Sequence, residues 1–355
     1  MSETMYDCYL SQFQCMKKIM ESKEELLEGF AEFFRRSDPD RIYLVGSGTS
    51  YHACSSAAYF VEEVLGREVS VLAPTCTERI YGKRPLIIAV SQGGRSTNTV
   101  SAVEAMVGKG YPVVTLTDPA DTPVGRAGDL SLLLSADTEQ VGPKTRGYTA
   151  TVLTLYLMAL EAARVTGNIS GEKFEEYIRE LERMTERGQE WMDHCQSFYE
   201  RNRQDLMKAT HYLFAGKGVR GAVAKEDALK ILETLCYPAN GYEYEELLHG
   251  PACSTDETLA LFLYLSDDRD TARMRQTAEI ISSASINCYM ISHVPSMEGE
   301  KILYLPESEA DYLSPFSDIL MGQLISARLP EEMGRGRHPA VKNIFQDMGT
   351  KVPQS

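Results

Sequence analysis

The chain contains no run of eighteen apolar residues, so nothing in it is long enough to serve as a membrane-spanning helix. It has no basic excess either: 36 lysines and arginines stand against 51 aspartates and glutamates, a formal net charge of −15. Nucleic acid and anionic membrane surfaces require the opposite sign, so neither is an expected partner. The eight cysteines, at positions 8, 15, 54, 76, 195, 236, 253 and 288, include no C-x-x-C pair, and several fall inside apolar helical patterns. Free, buried thiols in a reducing cytoplasm are the expectation. The N-terminus carries Glu3 and Asp7 and no apolar segment behind a basic one, so no secretory signal is expected.

A length of 355 residues with 43% hydrophobic and 25% charged content predicts two globular domains, each with its own core. The most informative stretch is Tyr43 to Thr99, where two polar loops each follow an apolar run. The first reads Tyr43-Leu44-Val45-Gly46-Ser47-Gly48-Thr49-Ser50-Tyr51-His52, and the second Leu86-Ile87-Ile88-Ala89-Val90-Ser91-Gln92-Gly93-Gly94-Arg95-Ser96-Thr97-Asn98-Thr99. Glycine lets a backbone approach a ligand, serine and threonine offer hydroxyls, and the following helix N-terminus exposes unpaired N–H groups. Two such loops in succession predict an anion cradle, which has to work against the acidic field of the whole chain.

Residues 1–37 form a leading helical region. Tyr6, Tyr9, Leu10, Phe13, Met16, Ile19 and Met20 recur at helical spacing, and Ser22-Lys23-Glu24-Glu25, with capping-box spacing, precedes Leu26, Leu27, Phe30, Phe33 and Phe34. The aromatic stripe reads as core, and these helices are expected to pack on the first domain. Residues 38–167 alternate strand and helix as a parallel α/β sheet requires, with strands at Arg41–Val45, Val69–Leu72, Leu86–Val90, Val113–Thr117 and Leu130–Leu134 and a last helix from about Thr149 to Thr166. Residues 168–205 read as a charged pair of linker helices. In 206–330 the first pattern returns: Gly216 and Gly218, in Tyr212-Leu213-Phe214-Ala215-Gly216-Lys217-Gly218, lie 170 residues beyond Gly46 and Gly48, and apolar runs at Leu259–Leu265, Ile286–Ile291 and Ile302–Leu305 follow. A duplicated α/β module is the simplest account. The second copy has the acidic Ser266-Asp267-Asp268-Arg269-Asp270 where the first has its second loop, so only the first copy is expected to bind phosphate. A tail, 331–355, completes the chain.

Gly-Ser-Gly-Thr-Ser-Tyr-His followed by Ser-Gln-Gly-Gly-Arg-Ser-Thr resembles the sugar isomerase (SIS) family, in particular the isomerase half of glucosamine-6-phosphate synthase and, more closely, the fructoselysine- and glucoselysine-6-phosphate deglycases. The resemblance covers roughly residues 40–330. It implies two tandem SIS domains, each a doubly wound, mostly parallel α/β sheet flanked by helices. It also implies that Gly48, Thr49, Ser50, Ser91, Gln92, Gly93 and Ser96 hold the phosphate of a hexose 6-phosphate. Lys144 stands where the synthase has a Ser-Thr-Lys that completes the sugar pocket; a substrate contact and a solvated charge before a helix are both open readings. Arg95 replaces an acidic residue usual in the synthase loop.

In the predicted helix Val223–Tyr237, Glu226, Lys230 and Glu233 share one polar face. By spacing alone that face reads as solvated, with a Glu226–Lys230 surface pair. Ala228-Leu229-Lys230-Ile231-Leu232-Glu233 resembles the family's Ala-Leu-Lys-x-x-Glu helix, however, and Glu246-Leu247-Leu248-His249-Gly250-Pro251 its Glu-Leu-x-His-Gly-Pro loop. The resemblance thereby makes Glu233 the proton shuttle between C1 and C2, His249 the ring-opening acid/base, and Lys230 an electrostatic or positioning aid. No metal and no organic cofactor is expected. His52, His194, His211, His293 and His338 read as structural.

Met1-Ser2 offers no N-terminal cysteine nucleophile, so no glutaminase activity is expected. The expected reaction is cleavage of a 6-phosphorylated ketosamine to hexose 6-phosphate and amine. Alternatives are an aldose–ketose isomerase, a glucosamine-6-phosphate deaminase, and a non-catalytic sugar-phosphate sensor. The tail's Arg337-His338-Pro339-Ala340-Val341-Lys342-Asn343 departs from the synthase's Pro-Arg-Asn-Leu-Ala-Lys lid, leaving Lys342 and Lys351 as candidates for its lysine. A homodimer is expected, in which His249 completes the partner's site.

Overall fold

The structure, a computed structural model, describes residues 3–119, 121–265, 270–285, 287–294, 297, 299–306, 310–336 and 348–353. The stretches 266–269 and 337–347, and with them His338, Lys342 and most of the acidic segment, lie outside the described residues, as does Ile286. The chain divides into two units: Glu3 with 11–186 and 348–353, and Thr4–Leu10 with 187–336.

The first unit is built on β1 (Arg41–Val45), β2 (Val69–Leu72), β3 (Pro85–Ser91), β4 (Val113–Thr117) and β5 (Leu130–Leu133), all parallel in the order β2-β1-β3-β4-β5. β3 is buried at every position, as expected of a central parallel strand covered on both faces. Successive side chains serve opposite layers. Tyr43, Val45, Ile87 and Ala89 join Val103 and Met106 in one core cluster, while Ile42, Leu44 and Ile88 line a small apolar void with Phe30, Phe34, Val61 and Leu155. The helices are α1 (Met5–Glu21), of which residues 5–10 belong to the second unit, α2 (Lys23–Leu26), α3 (Phe30–Ser37), α4 (Thr49–Leu65), α5 (Thr97–Gly108), α6 (Pro123–Ala127) and α7 (Arg146–Thr166). Three expectations are corrected here. Ser22 caps nothing, because its hydroxyl donates back to the Lys18 carbonyl (2.8 Å). α7 begins three residues earlier than predicted, because the Glu139 carboxylate caps its first turn. The expected linker pair is one continuous helix, α8 (Gly171–Leu206), which has no proline to interrupt it.

The second unit repeats the plan. β6 (His211–Gly216), β7 (Ala239–Glu243), β8 (Leu259–Tyr264), β9 (Asn287–Ser292) and β10 (Ile302–Tyr304) run parallel in the order β10-β9-β8-β6-β7, the same winding strand for strand. Its helices are α9 (Val219–Thr234), α10 (Tyr244–Leu248), α11 (Thr271–Ser282), α12 (Ser314–Ser317) and α13 (Ile319–Glu332). On one face Phe214 stacks on Phe262 at 5.2 Å, Phe262 on Tyr289 at 4.8 Å, and Tyr289 meets Phe198 of α8 edge-on. On the other, Leu213, Leu261 and Leu263 pack with Met274, Ala278 and Ile281 of α11. Two tandem α/β modules with doubly wound parallel sheets are thus the architecture.

Candidate active site

In the first sheet the chain winds outward in both directions from β1 and β3, which pair directly, Val45 opposite Ala89. The crevice beyond the carboxyl ends of such a strand pair is the place where open α/β sheets take ligands. Both polar loops leave there. The first turns at Gly48, whose φ of 56° only glycine adopts without strain, and delivers Thr49 and Ser50 to the first turn of α4. The second runs from Ser91 through Gln92 and Gly93 to Ser96, the residue preceding α5. A side chain added at Gly48 or Gly93 would meet open space, so neither glycine is there to make room for packing.

The polar groups of these loops are largely unspent. Ser50 and Ser91 are buried, yet neither hydroxyl, nor that of Ser96, enters a hydrogen bond among the described residues, and Ser96 does not cap its own helix. Gln92 Nε2 and Thr99 Oγ1 are buried with no hydrogen-bond partner among the described residues. Such groups are costly unless something satisfies them. Thr99 was not legible as a site residue, since a threonine in a first helical turn carries no special signal. Gln92 lies against Gly147 of α7, where a β-carbon would come within 2.5 Å of its amide.

Lys144 is half-buried and donates to the carbonyls of Glu139 (2.7 Å) and Val141 (2.8 Å), so it braces its own loop rather than standing as a solvated charge. Glu139 accepts from the N–H groups of Thr145 (3.0 Å), Arg146 (3.0 Å) and Gly147 (3.2 Å) and from the Thr145 hydroxyl (2.8 Å). The α7 N-terminus therefore already holds an anion. Arg95 turns its Nε to the carbonyl of Val352 (2.8 Å) in the tail.

The second module shows the same turn with different chemistry. Gly218 has φ 59° and ψ −125°, against 56° and −128° at Gly48, but the position matching Ser50 holds Arg220. Its buried guanidinium is taken by Asp311 (2.5 Å) and by Asp318 (3.1 Å), and Lys217 is paired with Asp270 (2.5 Å). This cradle carries internal carboxylates in place of hydroxyls. His293 closes the cluster, with Nε2 2.6 Å from Asp318 and Nδ1 3.1 Å from the Leu305 carbonyl, which makes it structural; His194 and His211 likewise lie against carbonyls.

α9, which follows this turn, carries Glu226, Lys230 and Glu233. The reading from spacing alone, a solvated Glu226–Lys230 surface pair, does not hold: both side chains are fully buried, Nζ and Oε1 3.4 Å apart, on a helix packed against β6, β7, α12 and α13. The Lys230 ammonium also donates to Glu233, which remains partly exposed. Burial pulls the lysine pKa down, but Glu226 and Glu233 together more than offset it, and the net shift is upward. Lys230 is thus a fixed cation holding Glu233 in place. Asp227, also buried, accepts from the Tyr264 hydroxyl, while its Oδ1 has no hydrogen-bond partner among the described residues. Desolvation drives its pKa well above the usual range, with the Glu226 charge adding to the rise and the Tyr264 hydroxyl opposing it.

His249 ends α10, immediately beyond β7, an edge strand. Its ring is exposed and makes no hydrogen bond or ion pair among the described residues. No group of three or more histidine, cysteine or acidic side chains among the described residues could hold a metal ion. None of the eight cysteines is in a disulfide, five are buried, and burial pushes the thiols of Cys15 and Cys288 up to about 12 and about 11.

Residues 37–161 match the SIS domain family model. The glutamine–fructose-6-phosphate aminotransferase (isomerizing) of Caldanaerobacter subterraneus subsp. tengcongensis is 28% identical over 312 residues, which is 83% of this chain and 49% of that protein; the chain spans about half the length of the curated relatives it matches. A Clostridium difficile 630 structure assigned as a phosphosugar isomerase superposes with a TM-score of 0.90 at 26% identity, covering 99% of this chain and 100% of the other. A Salmonella typhimurium LT2 structure assigned as a sugar binding protein gives 0.83 at 26% identity, covering 92% and 99%. Residues 37–161 thus resemble a SIS domain, and the whole chain shares its fold with these two structures, with a second module of the same winding as the first.

Proposed function

We propose that the protein is a deglycase that converts a 6-phosphorylated ketosamine, of the fructoselysine or glucoselysine 6-phosphate kind, to a hexose 6-phosphate and a free amine. The observation that carries a phosphosugar reading is the set of unspent hydroxyls at Ser50, Ser91 and Ser96, with the unpartnered Gln92 amide, at the winding switch point of the first sheet. That the relatives' name contains fructose 6-phosphate agrees with it. The choice of a ketosamine rests on the resemblance of the Gly46–His52 and Ser91–Thr97 motifs to the deglycases and on Arg95 in place of the synthase's acidic residue.

The chemistry follows from the residues. For a fructose-type ketosamine, His249 opens the ring. Glu233 takes a proton from C1, the C–H electrons form the C1–C2 double bond, and the C2 carbonyl oxygen gains a proton to give the enaminol. Reprotonation at C2 yields an imine at C1. Water adds there, the C–N bond breaks, and the amine leaves with a proton. Lys230, held charged beside Glu233, steadies the negative charge that develops on oxygen. The route needs neither metal nor organic cofactor. The exposed, unengaged ring of His249 supports a homodimer in which this histidine serves the partner's site.

A substrate panel tests the reading: fructoselysine, glucoselysine, fructose-aspartate and glucosamine 6-phosphates, with hexose 6-phosphate and amine both measured. Equal release of the two from a ketosamine phosphate is expected. Turnover of glucosamine 6-phosphate alone makes the protein a deaminase, interconversion of free aldose and ketose phosphates makes it an isomerase, and binding without turnover makes it a sensor.

A further inference from the structure

The loop from Ser91 to Thr97 is held from two sides. On its inner side, Gln92 accepts from the N–H of Asp118 (2.7 Å) and Gly94 from that of Val124 (3.0 Å), so this half rests on the segment after β4. The outer half is held by residues more than 250 positions away in sequence. Val352 N–H donates to the Arg95 carbonyl (2.8 Å), and Arg95 Nε donates to the Val352 carbonyl (2.8 Å). Thr97 N–H donates to the Thr350 carbonyl (3.2 Å), and the Thr97 hydroxyl to the Gly349 carbonyl (2.7 Å). Between these, Ser96 pairs antiparallel with Lys351.

We infer that residues 349–352 are a strap that sets the shape of the phosphate loop, with Arg95 and Thr97 as the positioning residues through which it acts; the inference rests on the phosphosugar reading of that loop. Ser96 is fixed through the neighbours on either side of it. Its backbone is extended, at φ −63° and ψ 116°, and its hydroxyl does not cap its own helix. The strap also takes the first N–H of α5, leaving the serine hydroxyl and the later N–H groups for an anion. Without the strap, residues 95–97 would have to be ordered each time a phosphosugar binds, and that entropy would be charged to affinity.

The test compares the full chain with one ending at Met348 and with Thr97→Val and Thr97→Ser. Glucose 6-phosphate affinity and the KM of the preferred ketosamine phosphate should weaken about tenfold or more in the shortened chain. Thr97→Val should weaken them by less, Thr97→Ser should match the parent, and kcat should stay within about twofold in each. Hydrogen exchange at residues 95–100 reads the strap with no ligand present and should quicken in the shortened chain and in Thr97→Val. If exchange and affinity are unchanged in both, the strap is refuted. If exchange quickens but the full-length protein binds no hexose 6-phosphate, the strap stands and the phosphosugar reading fails. If the shortened chain does not fold, the comparison of Thr97→Val with Thr97→Ser decides.

Discussion

Lys230 Nζ lies 3.4 Å from Glu226 Oε1 inside the second module, with both side chains fully buried. An ion pair out of water depends on its partner, since removing one charge strands the other in a medium that cannot solvate it. Lys230→Met should therefore destabilise the fold by about 3–5 kcal/mol. Adding Glu226→Gln should recover part of that loss. A thermal-denaturation double-mutant cycle checks this, and additive effects of the two substitutions would contradict a buried pair.

The phosphate loops should respond in binding rather than in turnover. Ser91→Ala and Ser96→Ala each remove a hydroxyl that is unspent within the protein, so folding should be little affected. A contact to phosphate is present in ground and transition states alike, so KM should rise and kcat hold. Gly147→Ala should mimic these losses by displacing the Gln92 amide, from which a β-carbon would be 2.5 Å away. Unchanged sugar-phosphate affinity in all three would move the cradle elsewhere.

Asp227 gives a pH dependence of stability whose sign is fixed. Its folded-state pKa is raised well above the ordinary 3.8, mainly by desolvation, so the folded chain retains a proton that the unfolded chain releases. The resulting cost is absent below 3.8 and grows as pH rises from there toward the folded-state value. Asp227→Asn, which carries no such titration, should gain in melting temperature relative to the parent as pH is raised from 4 to 7. A constant difference across that range would mean that Asp227 is ionised in the fold.

Shared sites predict complementation. In the proposed dimer, Glu233→Gln and His249→Ala chains should each be strongly impaired alone, but mixing them under conditions of subunit exchange should restore activity, because one of the two sites in a heterodimer is wholly intact. A dead mixture after demonstrated exchange would rule out sharing.

Much of the fold was legible because parallel strands buried on both faces are written as continuous apolar runs; Arg41–Val45 and Val113–Thr117 coincide with their predicted limits, as does the half-buried edge strand Val69–Leu72. β7 was not legible. Ala239-Asn240-Gly241-Tyr242-Glu243 has almost no apolar content, and it needs little because it is an edge strand. Gly241 is there because α9 passes so close that a β-carbon would meet the Ala224 carbonyl at 2.3 Å. The Glu226–Lys230–Glu233 face misled for a related reason. Three charges at helical spacing read as solvated, and the tertiary packing of α9 against β6, β7, α12 and α13 takes two of them out of water. The tail meets Arg95 and Thr97 with its own backbone N–H and carbonyl groups, which leave no trace in its residue types.

The central claim is that Glu233 moves a proton at C1 of a ketosamine phosphate before the amine departs. Fructoselysine 6-phosphate carrying two deuterons at C1 tests it directly, with the product read by NMR. The account predicts glucose 6-phosphate and lysine in equal amounts, with one deuteron lost from C1, and turnover reduced about 10²–10⁴-fold in Glu233→Gln with little loss of binding. Fructose 6-phosphate retaining both deuterons, which direct displacement at C1 would give, or full activity in Glu233→Gln, would contradict it.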